Sequence, residues 1–387
     1  MALPRLFILA VLVSLVGCGD EHTSDQHASV EHNAVQPSVH VRTQTGAGPN
    51  DTILIENGIN PPLLVVAASM DSAVQFFELP SMKLKGSAFF KPNAEAISPN
   101  PWALAASTDG AFVAVSLFDD HRVALIDVGS RKIIQTIGVP NAQHPTALKF
   151  MGNNLYVAFT NLQGFADFSG VPSSYGSGVL VRFSLSNGKL NYIESLTLPC
   201  KNPSDITFGQ ADRLTVSCAG SQFFDKNKNL QLHDGAAVIT VETVHDLNAA
   251  KTVALTQFSP SKIISNDDGF FLTSNLKRQI LFLPGDAISD AAAVTLPLNH
   301  KAPDETGYVS AIVKRDNAFA FVADFRTDQI FGLDLRTRKL SPLVKLQASE
   351  APLINKGPLA MTMSNAGELF VLMAMSAEIF SVSMEPM

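Results

Sequence analysis

The chain has 387 residues, 46% of them hydrophobic and 16% charged, with a net charge of -7. That is ample for a large core and low in charge for a water-facing domain. The acidity, with no basic block anywhere along the chain, argues against a nucleic-acid surface.

The N-terminus accounts for part of the hydrophobicity. Arg5 is the only charge before an apolar run from Leu6 to Val16. A run this short does not span a bilayer stably and fits the core of a signal peptide. It ends in Leu15, Val16, Gly17 and Cys18. That tetrapeptide resembles the bacterial lipobox, in which small residues precede a cysteine that is acylated and becomes the new N-terminus. The resemblance implies removal of residues 1–17, acylation of Cys18 and a mature charge of -8 once Arg5 is gone. Several acyl chains on one residue anchor stably where a single chain binds marginally. Gly19, rather than Asp, follows the cysteine. By the same resemblance this implies the outer membrane of a Gram-negative cell, facing the periplasm or the outside. The alternative is the outer face of the plasma membrane.

Residues 18–37 read as a flexible tether. Gly19 to Gln36 carries Asp20, Glu21, Asp25 and Glu31, no Lys or Arg and few apolar residues, so it cannot bury enough surface to fold. At coil dimensions such a segment reaches about 20–25 Å. His22, His27 and His32 are scattered along it as polar filler rather than as a metal tract.

From residue 38 onward the chain repeats. One signature is a strand ending in an acidic or hydroxyl residue, a turn, then a lysine opening the next strand. It occurs as Val74–Leu79 with Lys83, Val123–Val128 with Lys132, Leu180–Leu185 with Lys189 and Ile330–Leu335 with Lys339. A second signature opens each unit with proline: Pro101, Pro145, Pro203, Pro260 and Pro358, with Val309 in the one place that lacks it. Proline as the first residue of a strand costs no ladder hydrogen bond. Phe112–Ser116, Val123–Asp127 and Lys132–Ile137 resemble the YVTN-type β-propeller repeats. Leu155–Asn161 and Phe319–Asp324 echo the strand that gives those repeats their name. The resemblance implies an all-β chain whose residues 38–387 form a β-propeller of four-stranded antiparallel blades.

Unit starts near Asp51, Pro101, Pro145, Pro203, Pro260, Val309 and Pro358 count seven blades, with six or eight as the alternatives. The last unit supplies only three strands before the chain stops. Ser38 to Thr45 alternates polar and apolar residues ahead of the first blade, so it is expected to close the seventh. Closure of this kind removes exposed strand edges.

With Cys18 acylated, Cys200 and Cys218 remain. In an oxidising compartment they are expected to pair, the alternative being two buried thiols. Blades 3 and 4 carry long insertions between their second and third strands, Leu162–Gly176 and Gln222–Asp234. Loops on a rigid scaffold are where binding concentrates. Phe165, Phe168, Tyr175, Phe223 and Phe224 are the candidate anchors for a protein or small-ligand partner; the alternative is that the two loops pack on each other as a lid. Asp225, Asn227 and Asn229 open like a calcium loop. Leu230 then stands where the sharp turn needs Gly and Ala236 where a bidentate Glu belongs, so the segment reads as a polar turn.

Asp71, Asp119, Asp120, Asp324 and Asp328 fall around other second-to-third-strand turns, and His121, His144 and His300 near blade ends. No spacing among them nominates a catalytic set. The bland reading is local hydrogen bonding. Trp102, the only tryptophan, reads as packing between blades. No haem, P-loop or nucleophile-elbow motif occurs. The expectation is a monomeric, cofactor-free binding module held to a membrane by lipid. The alternative is a lactonase-like hydrolase or lyase with acidic and His residues at the channel mouth.

Overall fold

A computed structural model describes residues 38–91, 98–209, 213–243, 246–285, 293–298, 306–346 and 357–383. The described elements form seven four-stranded antiparallel sheets and two small hairpins. The inner strands of the blades are Pro49–Ile55, Pro101–Ala106, Pro145–Met151, Pro203–Phe208, Pro260–Ser265, Val309–Lys314 and Pro358–Met363. Each packs against the inner strands of the blades before and after it, and the series closes from the seventh back to the first. The fold is a seven-bladed β-propeller.

Closure is made as the sequence implies. Ser38–Gln44 pairs antiparallel with Glu378–Ser383 in the last blade, in a register running from Ser38 opposite Ser383 to Gln44 opposite Glu378. Thr45 continues it, donating its backbone N–H to Ala377 O at 2.8 Å. The signal segment, Cys18 and the tether lie outside the described residues, as does His300.

The burial pattern explains why the strands read differently in sequence. The second strands Leu63–Ala68, Leu214–Cys218 and Gly269–Ser274 are buried at every position. The outer strand Lys132–Gly138 instead alternates exposed and half-buried residues. A blade is covered by neighbours on both faces, so its middle strands are continuous apolar runs. Only the rim keeps the two-residue period of a half-wet strand.

There is no single central core. The buried apolar side chains sort into seven clusters, each spanning one blade-to-blade interface, including that between the last blade and the first. Adjacent residues of one strand serve opposite interfaces. Val65 packs toward blade 2 while Leu64 packs toward blade 7. Such alternation leaves the axis to the side chains of the inner strands, and that is where the site lies.

The repeat's acidic residue is a turn device. Asp127 Oδ1 accepts the Ser130 N–H at 2.7 Å and its hydroxyl at 2.6 Å. Asp334 Oδ1 likewise accepts the N–H groups of Arg336 and Thr337 at 2.9 and 2.7 Å. An Asp side chain that bonds backbone a few residues on mimics a turn, which fixes it at this place in the repeat.

Candidate functional site

The opening three residues of each inner strand do separate jobs. The first is proline in six of seven blades. The second ties the blade to the next one. Thr146 Oγ1 donates to Pro203 O at 2.7 Å, Ser204 Oγ to Pro260 O at 3.1 Å and Ser261 Oγ to Val309 O at 3.4 Å. Ser310 Oγ does the same to Pro358 O, and Asn50 Nδ2 to Pro101 O at 3.4 Å. Proline has no N–H but keeps its carbonyl, so this ring of bonds uses the acceptor each strand start still offers. Trp102 and Leu359 interrupt the ring with apolar side chains.

The third place is Ala in blades 2, 3, 6 and 7: Ala103, Ala147, Ala311 and Ala360. In blades 1, 4 and 5 it is Asp51, Asp205 and Lys262. Two acids and a base therefore stand at the place where the other blades carry a methyl group. Asp51 Oδ2 accepts the Leu104 N–H of the next blade at 2.8 Å, and its Oδ1 the Thr52 N–H at 2.9 Å. Asp205 Oδ2 accepts the Ile263 N–H of blade 5 at 3.0 Å in the equivalent geometry.

Asp51, Asp205 and Lys262 are half-buried. Burial pushes the Asp51 carboxyl above its ordinary value; Lys262 and the two backbone donors offset this only in part, and Asp205 adds to it. Burial also works against the charge of Lys262. There the carboxylates of Asp205 and Asp51 win, and its pKa lies above the ordinary lysine value. Tyr308, just ahead of the blade 6 inner strand, is raised by burial despite a hydrogen bond with Ser261 and the nearness of Lys262. Lys262 is thus held as an ammonium, which suits it to ion pairing and not to nucleophilic attack.

The insertions roof this floor on one side. Leu162–Gly164 pairs with Ser174–Tyr175, and Ser221–Phe224 with Leu230–Asp234. The two hairpins are joined to each other. Ser173 N–H donates to Gln222 O at 2.8 Å, Gln222 N–H to Ser173 Oγ at 2.9 Å, and the Phe168 and Phe224 rings lie 4.6 Å apart. The expectation that the loops pack on each other holds for this seam. Phe165 and Phe168 remain 50% and 45% exposed while Phe224 is buried. Of the five anchors, Phe165, Tyr175 and Phe224 line a cavity. Phe168 braces Phe224 from outside, and Phe223 stacks edge-on against His233.

The base of the blade 4 hairpin is clamped. Cys200, in the connection from blade 3, is disulfide-bonded to Cys218 at the end of the second strand of blade 4. Beside it, Lys201 Nζ pairs with Asp234 at 2.8 Å, and Gly220 N–H donates to Lys201 O at 3.0 Å. Asp225 Oδ1 accepts the N–H groups of Asn227 and Asn229 at 2.8 and 2.9 Å, so the calcium-like segment is a polar turn.

Floor and roof enclose a cavity of about 370 Å³ at the mouth of the axial channel, within the range of small-molecule sites. Asp51 and Lys262 of the inner strands line it together with Tyr308, Trp102 and Phe118, and Phe165 lines it from the blade 3 insertion. Trp102 packs on the cluster between blades 2 and 3, as its sequence position implies, and also walls the cavity, which that reading did not include.

Most of the acids singled out by sequence are structural. Asp71 Oδ2 accepts the Ala47 N–H at 2.9 Å, Asp119 the Asn100 side-chain amide at 3.2 Å and Asp328 the Gly357 N–H at 2.8 Å. Asp324 is fully buried against Arg278 of blade 5. His121 and His144 pack edge-on with ring centres 4.2 Å apart, and the His144 N–H donates to His121 Nδ1 at 3.3 Å. Among the described residues no group of His, Cys, Asp and Glu has the arrangement of a metal site. The residues missed by sequence reasoning are Asp51, Asp205, Lys262 and Tyr308. The available signal was a charged residue two places after the opening proline of a buried strand, where the sister repeats carry alanine.

No protein-family model matches the chain, and no curated protein does. Solved structures share its architecture. U3-55K aligns at a TM-score of 0.65 and 9% identity, covering 91% of this chain and 99% of that one. The WD40 repeats of RRP9 align at 0.64 and 9%, covering 90% and 98%. The hydrazine synthase of Kuenenia stuttgartiensis aligns at 0.64 and 12%, covering 92% and 99%. In all, 1280 chains share the likeness, which therefore marks an architecture and not an activity. In fold this chain is a seven-bladed, WD40-like β-propeller.

Proposed function

We propose that this protein is a lipid-anchored binding module that takes a small ligand into the cavity at its channel mouth. Acylation of Cys18 holds it to the outer membrane, and the residues up to 37 act as the tether. The lipobox resemblance at Leu15 to Cys18, with Gly19 after it, supports the address. The cavity carries the functional reading: a charged floor of Asp51 and Lys262 under an aromatic roof built by two clamped hairpins. Convergent polar groups at the bottom of an apolar cup are the usual make-up of a ligand site.

A hydrolase or lyase is the second reading, and Asp51 favours it. A carboxyl raised by burial and facing a cavity can act as a general acid. The binding reading is preferred because among the described residues no His lines the cavity and Lys262 stays charged, so neither supplies that acid with a partner base.

Two experiments test the reading. Metabolic labelling with palmitate is expected to mark the wild-type protein and not Cys18→Ser; equal labelling rules out the anchor. Native mass spectrometry after incubation with a small-molecule cell extract is expected to show a bound species that Ala103→Trp, which fills the cavity wall, excludes. A species retained by the filled variant, or none on the wild type, refutes the site.

A further inference from the structure

Resting on the binding reading above, the charge arrangement narrows the ligand. The ionisable residues that line the cavity are Asp51, Tyr175, Lys228, Lys262 and Tyr308. Lys228 is exposed on the rim, its Nζ 5.9 Å from the Phe168 ring centre, where solvent screens it. Asp205 does not line the cavity. It acts on Lys262 and is the stronger of the two carboxylate influences on it. Asp205 and Asp51 thus share one ammonium. The two carboxylates outnumber it, and Asp51 is the one that lines the cavity.

Its oxygens have room for more. Each accepts one backbone N–H, at 2.8 and 2.9 Å, and a carboxylate oxygen accepts two hydrogen bonds. An anion entering the cavity would meet Lys262 already flanked by two carboxylates. A cation would meet an under-compensated one. The walls suit a cation as well, because Trp102, Phe118, Tyr308, Phe165, Tyr175 and Phe224 present ring faces or edges to the same space. Aromatic rings attract organic cations and cover their carbon skeleton, whereas they offer nothing to a carboxylate.

The geometry points to an organic cation as the ligand: an amine or quaternary ammonium carrying an apolar body, its charge against Asp51 and its body between the rings of the cavity wall. Each part matches a feature on one side of the cup, with the charge at the bottom and the apolar part under the hairpins.

The test uses the full-length protein in detergent and three probes of similar shape: 2-phenylethylammonium, 2-phenylethanol and phenylacetate. Calorimetry is expected to find the ammonium bound at least about tenfold more tightly than the alcohol, with phenylacetate weakest. Asp51→Asn, which keeps an acceptor for the Leu104 N–H, is expected to bring the ammonium down to the alcohol's affinity. A second measurement needs no variant. Benzyltrimethylammonium keeps its charge at every pH, so its affinity is expected to fall by about tenfold as the pH is lowered through the protonation of Asp51. Lys262, already an ammonium, and Tyr308, a neutral phenol, do not change charge over that range. An ammonium bound no better than the alcohol, a preference for phenylacetate, or a pH-independent quaternary affinity would overturn the cation inference while leaving the cavity as a binding site. If none of the probes bound at all, both readings would fall together.

Discussion

Replacing Arg278 with Met is the sharpest test of how blades 5 and 6 are held together. Asp324 ends the second strand of blade 6 and is fully buried, and Arg278 is 7% exposed. Arg278 Nε donates to Asp324 Oδ2 at 2.8 Å, and Nη2 donates to the same oxygen. Thr327 Oγ1 also donates to Oδ2 at 2.7 Å, and the Arg326 N–H to Oδ1 at 3.1 Å. Removing one partner of a buried pair costs about 3–5 kcal/mol, because the other charge is stranded. Two donors survive in Arg278→Met, so the lower end, about 3 kcal/mol, is expected. For a domain of this length that is a fall in melting temperature of roughly 4 °C. The effect should reach the site. The Arg278 side chain packs against Gly307, where a Cβ would lie 2.5 Å from its Cγ, and Tyr308 follows directly. Urea unfolding of the single variants and of Arg278→Met with Asp324→Leu gives the coupling energy. The double variant is expected to recover about half the loss, since the Arg326 N–H and the Thr327 hydroxyl then lack their acceptor. A loss below about 1 kcal/mol in Arg278→Met, or a double variant less stable than either single one, would refute the reasoning.

Cys218→Ser opens a loop of 18 residues in sequence separation and is expected to cost about 3 kcal/mol on the chain-entropy estimate; an unfolding midpoint unchanged by reductant would count against it. Thr146→Val keeps the side-chain shape but removes the donor to Pro203 O, and is expected to cost about 1–2 kcal/mol by chemical denaturation, whereas Leu359→Ile, outside that ring of bonds, is expected to cost less. Asp51 gives a pH signature. Its folded pKa lies above the ordinary 3.8, so its contribution to stability is fully present below that value and is lost as the pH rises through the folded pKa. The resulting slope is no steeper than about 1.4 kcal/mol per pH unit for one group. Asp51→Asn is expected to flatten the stability curve above pH 4, and an identical curve in both proteins would exclude the burial penalty.

The sequence carried the fold because a propeller writes its geometry once per blade. Runs such as Val123–Ile126 are apolar throughout because the middle strands are covered on both faces. Lys132–Gly138 alternates because the rim is wet on one side, and Asp127 marks the turn between them. Seven unit starts, and a spare alternating strand at Ser38 for a blade one strand short, were enough to imply closure. The hairpin aromatics were legible for the same reason, since an insertion interrupts a repeat and stands out against it.

The floor of the site was harder to see. Asp51, Asp205 and Lys262 lie in different blades, far apart along the chain, and each looks like an ordinary polar residue near a strand start. Their meaning comes from closing the ring, which brings equivalent places of seven repeats to one axis and sets two carboxylates around one ammonium. The acids that did stand out in sequence, such as Asp71 and Asp324, proved to be spent on turns and blade contacts. Local periodicity records what each strand buries, so the sequence alone determines the blades, while the closed ring decides that there are seven. Which side chains share the channel, and what charge they leave uncompensated, depends on contacts between repeats that no local pattern encodes, and only the tertiary structure decides it.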